Sequence, residues 1–161
     1  YFMENIKVER LLINYKTLED FKRFKEYGHQ ELSMLEDLQN NIVENDSESP
    51  FYGIYIGKNL VARMSLYKVE KKYDKYFDPP HDYYELWKLE VLPDYRGRKF
   101  GTALVNYAKS FNLPIKTNAR VNSDGFWEKM GFEKADYIVS RDFGENPFIW
   151  MPEGIKEKKH K

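Results

Sequence analysis

From Leu86 to Leu104 the chain reads Leu-Trp-Lys-Leu-Glu-Val-Leu-Pro-Asp-Tyr-Arg-Gly-Arg-Lys-Phe-Gly-Thr-Ala-Leu, and this stretch constrains the fold more than any other. Leu86 to Leu92 suits a strand. Pro93 stops it, because proline brings no N–H to a ladder. A turn holding Gly97, Gly101 and three cations follows. The helix predicted from Thr102 to Phe111 then carries Ala103, Leu104, Tyr107, Ala108 and Phe111 on one apolar stripe. Where such a helix begins, backbone N–H groups without helical acceptors gather at the positive end of the dipole. An anion binds there readily, above all a pyrophosphate. Arg96, Arg98 and Lys99 add positive charge at the same spot. The physical reading is a phosphate cradle; the alternative for the same residues is a surface β–α turn with solvated cations. Neither a Gly-x-x-x-x-Gly-Lys-Ser/Thr loop nor a G-x-G-x-x-G fingerprint occurs.

The rest of the chain mixes strands and helices. Val8 to Tyr15 suits a first strand. Thr17 is expected to cap a helix, with Asp20 as its capping-box partner. Leu32, Leu35, Leu38 and Ile42 mark a second helix. Phe51–Ile56 and Leu60–Val69 read as a hairpin around Gly57-Lys58-Asn59. Lys71 to Asp82, with Pro79-Pro80, reads as an exposed loop. Pro114 to Ala119 suits a strand. Asp124 to Met130 suits a short helix capped by Ser123 and closed by Gly131. Phe132–Val139 and Phe148–Met151 complete the strands. The order β-α-α-β-β-β-α-β-α-β-β implies an α/β or α+β layered fold. Residues 3–152 read as one domain starting near Met3, and 153–161 as a charged tail without fixed structure.

Composition narrows the function. Lys and Arg total 26 and Asp and Glu total 26, for a formal net charge of +0, so the basic excess of a nucleic-acid binder is missing. With no cysteine there is no disulfide, cysteine nucleophile or thiolate metal site. His29, His81 and His160 lie far apart, so no metal site is expected. No apolar run approaches the ~20 residues of a membrane span, and no signal-peptide pattern leads the chain. A cytoplasmic location is the expectation.

Arg96-Gly97-Arg98-Lys99-Phe100-Gly101 resembles the acetyl-CoA loop Q/R-x-x-G-x-G/A of the GNAT N-acetyltransferase superfamily. Leu89-x-Val91-x-Pro93-x-Tyr95 resembles the strand that leads into that loop. Phe126-Trp127-Glu128-Lys129-Met130-Gly131-Phe132 resembles the family's F-Y-E-K-x-G-F ending. Spacing and element order agree from Val8 to Met151.

The resemblance implies a GNAT fold, with a central mixed, mostly antiparallel, splayed sheet flanked by helices. It implies acetyl-CoA as co-substrate and direct transfer to a primary amine in one ternary complex, with no covalent enzyme intermediate. Pantetheine is expected along the backbone of Leu89, Glu90 and Val91, where an N–H near Val91 would stabilise the tetrahedral oxyanion. The pyrophosphate is expected on Arg96, Gly97, Arg98, Lys99, Phe100, Gly101 and Thr102. Asn118 and Asn122 are polar candidates for pantetheine, although Asn122 equally suits a turn.

Two positions depart from the pattern. Lys99 stands where the loop has its first glycine; it either adds a charge to the phosphates or weakens the site. Trp127 stands where many members carry the tyrosine that reprotonates the CoA thiolate. An indole cannot serve as that acid, so Trp127 is read as packing, and another donor, a water or no dedicated acid does that work, with Tyr137 as one candidate substitute. An amine such as lysine, with an ordinary pKa near ~10.4, is largely protonated at pH 7 and needs a base. Glu85 is the expected base, matching a glutamate of several protein-acetylating relatives; a solvated strand-end glutamate is the alternative. Strand alternation places Glu90 on the opposite face.

Three functions follow. The first is a working N-acetyltransferase on a small-molecule or peptide amine. The second is a catalytically weak or inactive acyl-CoA-binding regulatory module, which Lys99 and Trp127 keep in play. The third is a structural interaction domain without CoA binding. Homodimers are common among similar folds, so a homodimer is one expected state.

Overall fold

A computed structural model of the chain describes residues 6–24, 49–120 and 122–159. The helix expected over 32–42 lies outside the described residues. The elements are β1 (Val8–Arg10), α1 (Tyr15–Phe21), β2 (Phe51–Ile56), β3 (Asn59–Val69), β4 (Phe77–Asp78), β5 (Tyr83–Val91), α2 (Phe100–Lys109), β6 (Ile115–Asn118), α3 (Asp124–Lys129), β7 (Glu133–Lys134), α4 (Val139–Asp142), β8 (Pro147–Trp150) and β9 (Lys156–Glu157). Hydrogen bonding orders seven strands as β1-β2-β3-β5-β6-β8-β7, and β4 pairs with β9. The β1–β2, β2–β3, β6–β8 and β7–β8 pairs are antiparallel, and β5–β6 is parallel. The sheet is thus mixed and mostly antiparallel.

The chain divides into two compact units, Tyr1–Ser65 with Lys88–Leu104 and Leu66–Trp87 with Val105–Lys161. Strand β5 passes from one unit to the other at Lys88, whose φ of 53° is left-handed.

In the first unit, α1 is capped by Asn14 and not, as expected, by Thr17. The Asn14 Oδ1 accepts the Thr17 N–H at 2.8 Å, as an N-cap amide should. Asn14 outcompetes Thr17 because it stands three residues earlier, on extended backbone (φ −155°, ψ 174°). Asp20 is engaged by Lys16, Arg23 and the Tyr55 hydroxyl. The hairpin of β2 and β3 forms where the turn signal put it, with Gly57 at φ 61°. Leu60 to Ser65 are buried without a break, as in a strand covered on both faces. Arg63 lies inside this run, 1% exposed, its guanidinium 4.4 Å from the Phe21 ring centroid. Leu11, Leu18, Phe21, Phe24, Phe51 and Leu60 form the core.

In the second unit the core is Tyr76, Phe77, Tyr83, Ala135 and Ile149. Tyr76 and Phe77 are buried, so the segment expected as an exposed loop is folded. Its organiser is Asp74, whose carboxylate accepts the N–H groups of Tyr76 (2.8 Å), Phe77 (3.2 Å) and His81 (2.9 Å). Strand β9 arises within residues expected to lack structure. It pairs through backbone groups, Phe77↔Glu157 and Asp78↔Lys156, which its charged side chains do not obstruct. The strand expected over 132–139 shrinks to β7, because Asp142 accepts the Ile138 N–H (2.8 Å) and turns the chain into α4. Gly131 closes α3 at φ 85°, as expected, whereas the Ser123 hydroxyl donates to the Arg120 carbonyl instead of capping.

Candidate active site

The sequence-predicted residues fall into two groups, one in each unit. Leu89 to Thr102 belong to the first unit and Glu85, Asn118, Asn122 and Tyr137 to the second.

In the first unit, Pro93–Tyr95 forms a tight turn after β5, and the Arg96 Nε donates to the Val91 carbonyl at 3.2 Å. Gly97 (φ 78°) and Lys99 (φ 66°) both take left-handed backbone. Lys99 thereby keeps the conformation that glycine supplies freely, although it carries a Cβ. Its carbonyl accepts the Ala103 N–H at 3.0 Å, so Lys99 is the N-cap residue of α2. The N–H groups of Phe100, Gly101 and Thr102 therefore occupy the first turn of a ten-residue helix, where anions are favoured. The Phe100 side chain is 1% exposed, which restricts this residue to a backbone contribution. Arg96, Gly97, Arg98 and Lys99 are exposed, with the Arg98 guanidinium 5.4 Å from the Tyr95 ring centroid. Amide donors flanked by exposed cations are the donor set a pyrophosphate needs.

Leu89, Glu90 and Val91 end β5 half-buried. Strand alternation does not carry across Lys88, because its left-handed φ interrupts the pleat. The expected opposite facing of Glu85 and Glu90 therefore does not follow from their spacing.

In the second unit the β5–β6 register sets Glu85 against Lys116. The Lys116 Nζ lies 3.1 Å from the Glu85 Oε1 and 3.1 Å from the Glu145 Oε2. The Trp87 indole N–H donates to the other Glu85 oxygen. Glu85 is thus no free strand-end glutamate; both its oxygens are engaged. Nearby, burial first and the Glu85 charge second push the Tyr83 phenol up from its ordinary value. Asp142 is fully buried and takes hydrogen bonds from the Tyr76 hydroxyl (2.8 Å) and from the Arg141 Nε (2.7 Å). Burial alone would raise the Asp142 pKa, but the bonds from Arg141, the Ile138 N–H and Tyr76 outweigh it and hold the group below its ordinary range.

Tyr137 is half exposed, and its hydroxyl accepts the Gly144 N–H at 2.7 Å. Its own proton is therefore left to donate. Asn118 is exposed and accepts the Asn146 N–H. Asn122 is exposed at φ 68°, the turn geometry that asparagine tolerates. Trp127 is 5% exposed, with Phe126 and Phe132 ring centroids each 5.0 Å away. This is the environment of a packing residue. Among the described residues no group of three His, Cys, Asp or Glu side chains could hold a metal. Lys116 and Glu145 escaped the sequence reading. A lysine amid the apolar and Thr positions of a short strand was the available signal for the first.

The acetyltransferase (GNAT) family profile matches residues 14–132. The chain belongs to this family. It is 72% identical, over 97% of its length and 98% of the other's, to an uncharacterised N-acetyltransferase of Oceanobacillus iheyensis. It is 65% identical to one of Halalkalibacterium halodurans, over 97% and 92% of the two lengths. Among solved structures, the N-acetyltransferase YlbP of Bacillus subtilis, in complex with coenzyme A, superposes with a TM-score of 0.87 at 62% identity, covering 96% of this chain and 100% of that one. Glucosamine-6-phosphate N-acetyltransferase of Arabidopsis thaliana shares the fold, with a TM-score of 0.59 at 16% identity over 87% and 99% of the chains. The protein is an N-acetyltransferase of the GNAT type.

Proposed function

We propose that this GNAT enzyme binds acetyl-CoA on the loop from Arg96 to Thr102 and passes the acetyl group directly to a primary amine of a small molecule or peptide. The observation that carries the reading is the backbone of Lys99. Its left-handed φ of 66° and its N-cap role keep a glycine-like cradle open despite the lysine. The coenzyme A complex of YlbP supports the same assignment.

Bound acetyl-CoA supplies a thioester carbonyl activated for attack. The first-turn N–H groups of α2, with Arg96, Arg98 and Lys99, hold the pyrophosphate. The backbone of Leu89, Glu90 and Val91 aligns the pantetheine, and an N–H near Val91 carries the developing oxyanion. Glu85 removes a proton from the acceptor ammonium, directly or through water, leaving a lone pair to attack. Tyr137, whose hydroxyl oxygen accepts the Gly144 N–H, donates to the departing thiolate, and Asn118 and Asn122 offer polar contacts to pantetheine. No helix among the described residues is long and apolar enough to cross a membrane. We place the enzyme in the cytoplasm, where acetyl-CoA is made and used, with a homodimer as the state to test by light scattering.

Calorimetric titration with CoA and with acetyl-CoA tests the cradle. Micromolar affinity is expected, falling roughly tenfold or more in Arg98→Ala/Lys99→Ala, as loss of two charge-assisted phosphate contacts requires. Unchanged affinity would remove these residues from the site. A panel of ethanolamine, glucosamine, spermidine, an amino acid and a lysine peptide then seeks the acceptor.

A further inference from the structure

We propose that Lys116 is a positioning residue that holds the Glu85 carboxylate in its working orientation, with Glu145 anchoring the same ammonium from its other side. The proposal rests on the reading of Glu85 as general base.

Lys116 is 3% exposed, and its Nζ is shared at 3.1 Å between Glu85 and Glu145. An ammonium carried this deep costs several kcal/mol in lost hydration, and a buried ion pair seldom returns more than a hydrophobic residue of the same volume would. Stability alone therefore gives little reason for a lysine here. What the lysine does is geometric. It pins the Glu85 Oε1, while the Trp87 indole pins the Oε2. Two anchored oxygens fix the carboxylate plane. An ionised carboxylate has about four acceptor positions, so two remain for an incoming proton.

Access follows the same division. The Lys116 side chain is 4% exposed, whereas those of Glu85 and Glu145 are 23% and 41% exposed. The ammonium holds the base from the buried side and leaves the open side for the acceptor. Tyr83, on the same strand, feels the charges of Glu85, Asp74, Arg141 and Glu145, and the Tyr76 ring centroid lies 5.7 Å from the Lys116 Nζ and 4.1 Å from the Arg141 guanidinium. Neither hydroxyl competes for the carboxylate in the hydrogen bonding observed, because the Tyr76 hydroxyl is committed to Asp142. Lys116 is thus the charged group that, with the Trp87 indole, sets where Glu85 sits.

The test combines a signal that needs no acceptor with kinetics. The chain has three tryptophans, so the Trp87 indole N–H resonance can be assigned with Trp87→Phe. In Lys116→Met this resonance is expected to move towards that of an unbonded indole, the limit that Glu85→Ala should reach because alanine removes the acceptor. Kinetics use thiol release from acetyl-CoA with spermidine or a lysine peptide as probe amine; the absence of cysteine leaves no background from the protein. Lys116→Met is expected to lower kcat by roughly tenfold or more, within the range that a general base contributes. The KM for acetyl-CoA should stay within about twofold, as expected when only a transition-state interaction is lost. Lys116→Met/Glu85→Gln should lose no more than Glu85→Gln alone. Should Lys116→Met fail to fold, Glu145→Gln on the exposed side is expected to give the same indole shift in smaller measure. An unmoved Trp87 resonance in both variants, or losses that simply multiply in the double variant, overturns the proposal while leaving Glu85 as the base. Wild-type kcat in Glu85→Gln removes the base itself, and the positioning role falls with it.

Discussion

Lys99 breaks the family's loop pattern while keeping the backbone conformation that the pattern's glycine would take. Glycine is the ordinary occupant of such a turn because left-handed backbone costs it nothing, whereas an L-residue gives up roughly 1–2 kcal/mol there. Lysine adopts φ 66° nonetheless, beside Gly97 at φ 78°. Two consequences are separable. Lys99→Gly should relieve the strain and raise stability by about 1 kcal/mol, a gain visible in the thermal midpoint. The same change removes an exposed cation from the cradle and should weaken CoA binding by a few-fold, about 0.5–1 kcal/mol. Lys99→Ala keeps the Cβ and its strain, so it should lose affinity without gaining stability. A lower midpoint for Lys99→Gly would mean that the turn is not strained and that the lysine is held by contacts of its side chain.

At the scale of elements, the tightest steric constraint lies between β1, β2 and β3. Gly53 faces Arg63 across β3 and Glu9 across β1. A Cβ built on it would lie 2.6 Å from the Leu60 Cδ1, 2.9 Å from the Ala62 carbonyl oxygen and 3.1 Å from the Leu11 Cδ1. Leucine tips can rotate, but the carbonyl belongs to the ladder. Gly53→Ala is therefore expected to destabilise by roughly 1–3 kcal/mol, as overpacking does, measured by urea unfolding; an unchanged midpoint would show that β3 gives way freely. Elements of this kind differ in how far the sequence announces them. The β2–β3 hairpin and the β5–turn–α2 unit were legible, because Gly57, Pro93 and Gly97 punctuate long apolar runs. The break in β5 was not, since it falls at Lys88 and no glycine marks it. The folded segment before β5 was hidden for another reason: Asp74 ties three N–H groups through a side chain, and composition alone reads such a stretch as a loop. The turn proposed as the cradle was visible because backbone punctuation builds it. The Lys116–Glu85–Glu145 cluster was not, because its members are distant in sequence: strand register joins Glu85 to Lys116, and Glu145 comes from the loop before β8.

For the whole molecule, balanced charge shifts the question of acid stability onto particular groups. With 26 cations against 26 anions there is no large net field near neutrality. Asp142 is the carboxylate whose environment is most demanding: fully buried, and bonded by Tyr76, Ile138 and Arg141, which hold its pKa below the ordinary 3.8. The unfolded chain returns the group to that ordinary value and so binds its proton first as pH falls. The stabilisation is therefore complete above about pH 4 and disappears as pH drops through the lower native value. Asp142→Asn removes the charge but leaves the Arg141 guanidinium buried against the Tyr76 ring, 4.1 Å from its centroid. Stripping one partner from a buried pair in this way costs about 3–5 kcal/mol. Urea unfolding of both proteins from pH 2 to pH 7 should show that deficit in full at neutral pH and a narrowing gap below pH 4. Tyr76→Phe, which loses one hydrogen bond and keeps the ion pair, should cost only about 1–2 kcal/mol. A gap between wild type and Asp142→Asn that stays constant across the whole range would mean that Asp142 acts through packing alone, with its charge contributing nothing to the fold.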